Sequence, residues 1–171
     1  MLQLISPFPA EQYPLLWTWL HESKESNFDD YGPTTYQAFV EEMKDRSERE
    51  LSWMATWNDK PVGFIGYAPV NLRLGSTHGI CFTKEVHGKG VAYEAVSRIV
   101  EQLFASGVEK IQACYFASNL RVAEFLNKLG FYQEGYFVAQ TVRNGNLEDM
   151  RLVARFRSSA VIPVCPVSKI D

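Results

Sequence analysis

His87-Gly88-Lys89-Gly90-Val91-Ala92 decides how this 171-residue chain is read. It separates a short apolar run, Ile80-Cys81-Phe82, from a helix-patterned stretch, Tyr93 to Ala105. A strand, a glycine-bearing turn and a helix start together present several backbone N–H groups that have no partner within the helix. The helix dipole adds partial positive charge at the same place. Glycines at 88 and 90 let a ligand approach the backbone, because no Cβ intervenes. Lys89 adds a movable charge. The stretch reads as a cradle for the pyrophosphate of a nucleotide-type cofactor. Taken alone, it is equally compatible with an ordinary surface turn entering a helix.

Two familiar phosphate motifs are not met. The dinucleotide fingerprint needs a third glycine, where Tyr93 stands, and an early place in the chain. The P-loop needs Ser or Thr after Gly-Lys and a glycine five residues before the lysine's own glycine; here Gly90 follows Lys89, and residue 83 is threonine.

A second constellation lies downstream, from Ser118-Asn119-Leu120-Arg121 to Leu129-Gly130-Phe131. Ser118 or Asn119 suits an N-cap. Val122, Phe125, Leu126 and Leu129 recur at helical spacing, and Gly130 suits a helix C-terminus. Lys110 to Phe116 reads as the strand before this helix. The second half of the chain is therefore strand, turn, helix, strand, capped helix, strand.

Together the two constellations resemble the GNAT superfamily of acetyl-CoA-dependent N-acetyltransferases. That family's Gln/Arg-x-x-Gly-x-Gly/Ala turn matches residues 87–92, with His87 in the Gln/Arg place. Its Asn, followed twelve residues later by the Phe of Leu-Gly-Phe, matches Asn119 and Phe131. The resemblance covers roughly residues 60–157. Gly88 to Ala95, Gly130 to Gly135, the Asn144-Gly145 hairpin and Asp149 are similar to the branch that acetylates protein N-termini, ribosomal proteins especially. That branch also holds enzymes of small amines.

The resemblance implies an α/β (α+β) fold. Its sheet would be mixed and mostly antiparallel, with six to seven strands, about four helices on both faces and a splayed parallel pair at the cofactor site. It also implies acetyl transfer from acetyl-CoA to a primary amine, a protein N-terminus or a small molecule, by direct attack. The backbone of Ile80, Cys81 and Phe82 would pair with the pantetheine amides. His87, Gly88, Lys89, Gly90, Val91 and Ala92 would hold the pyrophosphate, and Asn119 the pantetheine arm. Two family positions differ. Leu126 stands where many members place a proton-donating Tyr, and Cys114 where some keep a Glu base. A catalytically silent acyl-CoA-binding domain is the alternative that these two positions raise.

The chemistry needs a base for the amine and an acid for the departing thiolate. His78 has a suitable intrinsic pKa, Glu85 could act through water, and Tyr115 or Tyr136 could donate a proton. Asp149 could orient the acceptor or serve backbone donors. Trp17, Trp19, Phe28 and Tyr31 are candidates for core or for the wall of an acceptor groove. Glu22, Glu25, Asp29 and Asp30 could attract a cationic amine, or form a solvated face.

Composition is that of an ordinary soluble globular chain: 46% apolar, 22% charged, formal charge −3. No Lys/Arg run offers a nucleic-acid footprint. Three cysteines without paired spacing argue against a disulfide framework or a metal site. Cys81 and Cys114, in apolar strands, read as small core residues, and a reducing cytoplasm fits. No leader-like segment or 18-residue apolar run is evident, so neither export nor membrane spanning is expected. A homodimer is left open. One domain is expected over residues 1–157, with an irregular tail from Ser158 carrying Pro163 and Pro166.

The remaining elements follow from pattern. Strands are expected at Leu2 to Ile5, Leu51 to Trp57, Val62 to Tyr67, about Leu74 to Phe82, Tyr132 to Val142 and Leu147 to Phe156. Helices are expected from Ala10 to Glu22 and, capped by Thr34 or Thr35, through Arg46. Asn58 to Pro61 and Asn144-Gly145 read as hairpin turns.

Overall fold

The computed structural model describes residues 1–22 and 30–158. Phe28, Glu25, Asp29, Cys165 and the tail beyond Ser158 lie outside the described residues.

Seven strands form one sheet: β1 (Leu2–Ile5), β2 (Leu51–Trp57), β3 (Lys60–Pro69), β4 (Leu74–Phe82), β5 (Lys110–Phe116), β6 (Tyr132–Arg143) and β7 (Asn146–Phe156). Their spatial order is β1-β2-β3-β4-β5-β7-β6. Every neighbouring pair is antiparallel except β4 and β5. Among the described residues there are four α-helices: α1 (Tyr13–Glu22), α2 (Tyr36–Ser47), α3 (Val91–Ala105) and α4 (Leu120–Lys128). The expected mixed sheet is thus present. The chain enters β5 from β4 through α3, the crossover that a parallel pair requires.

Strand alternation separates two cores. Trp53 and Ala55 of β2 join Ile65, Ile111 and Val153 beneath α3 and α4. Met54, between them, turns to the other face with Phe64 and Cys81, beneath Leu16, Trp19 and Leu20 of α1 and Phe39 of α2. Helix α3 is the best-buried helix. Val91, Ala95, Val96, Ile99, Val100, Leu103 and Phe104 fall at helical spacing and are all buried. Each large apolar side chain removed from water contributes roughly 1.5–3 kcal/mol. The turns obey local chemistry. Asn58 and Asp59, then Asn144 and Gly145, have positive φ, as two-residue hairpin loops of this type require. Thr35 caps α2 by accepting from Ala38 N–H at 3.2 Å.

Cys114 departs from the expectation of a core residue: Cys81 is buried, but Cys114 is exposed. The reason is parity. Ala113 points into the α3/α4 core, so its neighbour on β5 points to the other face, where a cavity opens. Among the described residues no helix is long and apolar enough to cross a membrane.

Glycines in β3 and β4 make room for rings lying across the sheet. A Cβ at Gly75 would stand 2.2 Å from the Tyr67 ring and hydroxyl, and Tyr67 is only 2% exposed, so it cannot yield. Gly75→Ala is expected to destabilise the fold by roughly 1–3 kcal/mol through overpacking. A thermal melt in which this variant matches the wild type would show that the Tyr67 ring can move aside.

Candidate active site

Strands β4 and β5 pair only over their first halves, from Leu74↔Lys110 to Thr77↔Ala113. Beyond that point each keeps its outer partner. β4 continues against β3 through Cys81 and Phe82, and β5 continues against β7 through Phe116. The pair therefore forks: past Thr77 and Ala113, β4 and β5 make no pairing with each other among the described residues. At the fork the Ser76 and Thr77 hydroxyls both donate to the Gln112 carbonyl, each at 3.3 Å.

A bulge coincides with the fork. His78 pairs with Gly66 and Cys81 with Phe64, so three steps on β4 face two on β3. Gly79 absorbs the extra residue with φ of +60°, a conformation that glycine adopts without a Cβ penalty. The bulge resets the alternation. Cys81 faces the α1/α2 side, while Ile80 and Phe82 pack on the α3/α4 core.

A cavity of about 600 Å³ runs through the fork. Its lining includes Ile80, Cys81, Phe82, His87, Ala92 and Asn119, and, on the α1/α2 side, Tyr31, Glu42, Arg46, His78 and Cys114. The turn at 88–90 is exposed and bracketed by two lining residues, His87 and Ala92. Gly88 and Gly90 have φ of +74° and +77°, and a Cβ on either would meet nothing within 4 Å. His87 N–H donates to the Lys84 carbonyl and Lys89 N–H to that of Val86, both at 3.2 Å. The N–H groups of Gly88, Gly90, Val91, Ala92 and Tyr93 have no such acceptor among the described residues. This is the open donor array that an anion needs. The Val91 side chain itself is buried in the core.

The His87 ring turns back on the strand, its Nε2 lying 3.1 Å from the Phe82 carbonyl. A carbonyl only accepts, so Nε2 carries the proton, and the ring braces the turn against β4. The Asn119 side chain accepts from Val122 N–H at 3.2 Å and caps α4 while lining the cavity.

The α1/α2 side carries a charged cluster. His78 Nδ1 lies 3.2 Å from Arg46 Nη1. Arginine can only donate, so Nδ1 is the acceptor and the ring proton sits on Nε2. Nε2 is 2.8 Å from Glu50 Oε2. The two atoms are at ion-pair distance, but their alignment makes no proper hydrogen bond, and both are shut off from solvent. Arg46 also pairs with Glu42 at 2.5 Å. Burial lowers the His78 pKa from its ordinary 6.5, and Arg46 adds to that, against the raising influence of Glu50 and Glu42. Above the Cys114 thiol the cavity walls limit solvation, and its pKa is raised.

Other expected site residues are placed differently. Glu85 is exposed on a single 3-10 turn, Lys84–Val86, and does not line the cavity. Tyr115 lines it; Tyr136 does not. The Tyr136 hydroxyl donates to Asp149 Oδ2 at 2.6 Å and Ala139 N–H to Oδ1 at 2.7 Å. These bonds raise the Tyr136 pKa and lower that of Asp149. Asp30 accepts from the Asn144 and Gly145 N–H groups, one on each carboxylate oxygen, at 2.9 Å. Trp19 is buried in the α1/α2 core. Glu42, Arg46 and Glu50 did not stand out as site residues in the sequence. The local signal is the i,i+4 spacing of Glu42, Arg46 and Glu50.

Residues 13–131 match the model of the Acetyltransferase (GNAT) family. No curated protein sequence matches the chain. Among solved structures, a spermidine N-acetyltransferase from Vibrio cholerae in complex with CoA and spermine superposes with a TM-score of 0.79. It is 17% identical and covers 91% of this chain and 95% of its own. A ribosomal-protein-alanine N-acetyltransferase from Brucella melitensis superposes with a TM-score of 0.75 at 13% identity, covering 91% and 99%. At these identities the likeness is one of fold.

The lowered His78 pKa has a measurable consequence. As pH falls below about 6.5, the unfolded ring takes a proton that the folded ring resists. This contribution to stability is therefore complete above that pH and lost as pH falls through the folded pKa. His78→Gln is expected to flatten the dependence of Tm on pH between about 7 and 5. Equal slopes for variant and wild type would show that His78 is not held neutral by its surroundings.

Proposed function

Because the chain belongs to the Acetyltransferase (GNAT) family, whose members use acetyl-CoA, we propose that the β4–β5 fork holds the pantetheine arm and that a primary amine enters beside α1 and α2. The observation that carries this reading is the coincidence of three features: the strand fork, the open turn at its end, and one cavity joining both to the α1/α2 side. The edge of β4 from Ile80 to Phe82 faces the fork, where an amide-bearing chain would lie beside it, the Phe82 carbonyl already accepting from the His87 ring. The donors at 88–92 suit a diphosphate, with Lys89 beside them. His87 braces this turn, and Asn119 sits where it can reach the same arm while capping α4.

The family's reaction joins the amine nitrogen to the acetyl carbonyl carbon and breaks the C–S bond, so that CoA leaves as a thiolate and takes a proton. The amine must first be neutral. His78 faces the cavity, but Arg46 occupies its Nδ1 lone pair. Arg46 already holds Glu42, so it can release His78 at the loss of one hydrogen bond, and Nδ1 then becomes a base. Tyr115 is the proposed proton donor to the thiolate, since Tyr136 is tied to Asp149. Glu85 can act only through water, from outside the lining. Leu126, buried at the cavity wall, contributes no proton.

The acceptor class follows from the wall. It is largely apolar, and its charged groups are Glu42, paired with Arg46, and Arg121, with His78 also in the lining, so it suits an amine that enters neutral. The similar structures act on polyamines and on a ribosomal-protein alanine by their names. Spermidine and an alanine-terminal peptide are therefore the first acceptors to test, with CoA release followed by a thiol reagent. Acetyl-CoA binding without release on any amine would leave a silent acyl-CoA-binding domain instead.

The cofactor half is testable separately by isothermal titration. Gly90→Ala and Gly90→Asp share the same backbone strain, and both Cβ atoms have space. Gly90→Asp alone sets a carboxylate at the phosphate turn. It is expected to lose acetyl-CoA affinity by about 100-fold or more, with Gly90→Ala within about fivefold of the wild type. Equal losses in the two would point to strain and not to phosphate binding. Asn119→Ala is expected to weaken binding while the domain stays folded, since a lost cap costs about 0.5–2 kcal/mol. Unchanged affinity would leave Asn119 a cap only.

A further inference from the structure

We propose that Asp30 is a positioning residue that clasps the segment entering α2 onto the β6–β7 hairpin, and so sets how far the α1/α2 end of the cavity opens. The proposal rests on the reading of that end as the acceptor entrance. The contact is made by three bonds between segments more than 110 residues apart. Asp30 N–H donates to the Val142 carbonyl at 2.8 Å. Its carboxylate oxygens accept separately from Asn144 N–H and Gly145 N–H, both at 2.9 Å.

The hairpin is built to receive a carboxylate. Asn144 and Gly145 have φ of 53° and 74°, so two successive N–H groups converge in a concavity of the kind that binds anions. Charge-assisted bonds of this type are among the stronger ones. A two-oxygen grip also fixes orientation, which a single bond would not.

The consequence lies in the next three residues. Tyr31, Gly32 and Pro33 line the cavity directly after Asp30. Tyr31 is 75% exposed. Cys114, an exposed residue of β5, lines the same cavity. The clasp therefore sets where this wall of the cavity stands, and with it the access to Cys114 through the cavity. Asp30 touches no reacting atom in this scheme; it acts through the wall it anchors.

The two described cysteines make the test internal. In a Cys165→Ser background, the rate of N-ethylmaleimide modification at Cys114 and Cys81 is followed by mass spectrometry. Asp30→Ala is expected to speed Cys114 labelling by about fivefold or more while Cys81, which is buried, keeps its rate. Asp30→Asn, which retains one acceptor oxygen, should fall between. Against whichever of spermidine and the alanine-terminal peptide the wild type acetylates, Asp30→Ala should raise KM for the amine, with kcat within about twofold and acetyl-CoA affinity unchanged. An unchanged Cys114 rate would overturn the proposal. So would parallel acceleration at Cys81, which would mean that the variant loosens the whole fold. Should the wild type fail to bind acetyl-CoA, the reading of the cavity falls, while the labelling rates still judge the clasp.

Discussion

The bulge at Gly79 is the constraint on which the rest of the site depends. One residue more on β4 than on β3 bends the strand and increases its local twist. Pairing with β5 ends two residues earlier, at Thr77 and Ala113. The shift also decides which side chains see the cavity. Cys81 turns to the α1/α2 face, and Ile80 and Phe82 anchor the strand on the α3/α4 core. A fork in a sheet leaves edge amides without partners, and an unmet buried amide costs about 1–3 kcal/mol. Such a gap persists when the flanking strands are fixed by other means. Here β3 grips β4 and β7 grips β5 along the diverging stretch.

The two ends of the cavity use different physics. In the proposed reading the turn at 87–92 works through backbone donors and a helix start, and its side chains are secondary. His87 merely braces it, and Val91 is buried beneath it. The α1/α2 end works through side chains: Glu42 holds Arg46, Arg46 holds His78, and His78 faces Glu50. With the ring neutral, the two carboxylates of this cluster are already engaged, Glu42 by Arg46 and Glu50 against the His78 ring.

Much of the fold was legible because its signals are local. Leu51–Trp57, Leu74–Phe82 and Lys110–Phe116 were expected as strands with the bounds that the structure has. The Asn144-Gly145 turn and the Asn119 cap announced themselves by residue type. What was not legible depends on contacts between distant segments. Gly79 in a strand hints at a bulge, but nothing nearby shows which way the parity then runs, and the apolar pattern of β5 alone does not show that Cys114 faces a cavity instead of the core. Arg46 and His78 are 32 residues apart, and neither residue type signals the other. Asp30 looked like one acid in a solvated run; only the folded hairpin reveals why it is an aspartate.

This difference also explains why the cofactor is easier to name from the sequence than the acceptor. A diphosphate presents the same charge and shape to every protein that binds it, and glycines placed beside a helix start meet that need with few alternatives. Their spacing is therefore visible in a single chain. An amine offers one charge and an arbitrary remainder. In the proposed reading it is selected by the position of Tyr31 to Pro33, by the separation of α2 from β4, and by the hairpin to which Asp30 is tied. Each of these is a relation between segments and not a motif within one. Loops held on a rigid scaffold vary without endangering the core, so the same forked sheet can serve many acceptors. The part of the site that defines the reaction is written in the backbone, and the part that defines the acceptor is written in contacts across the sheet.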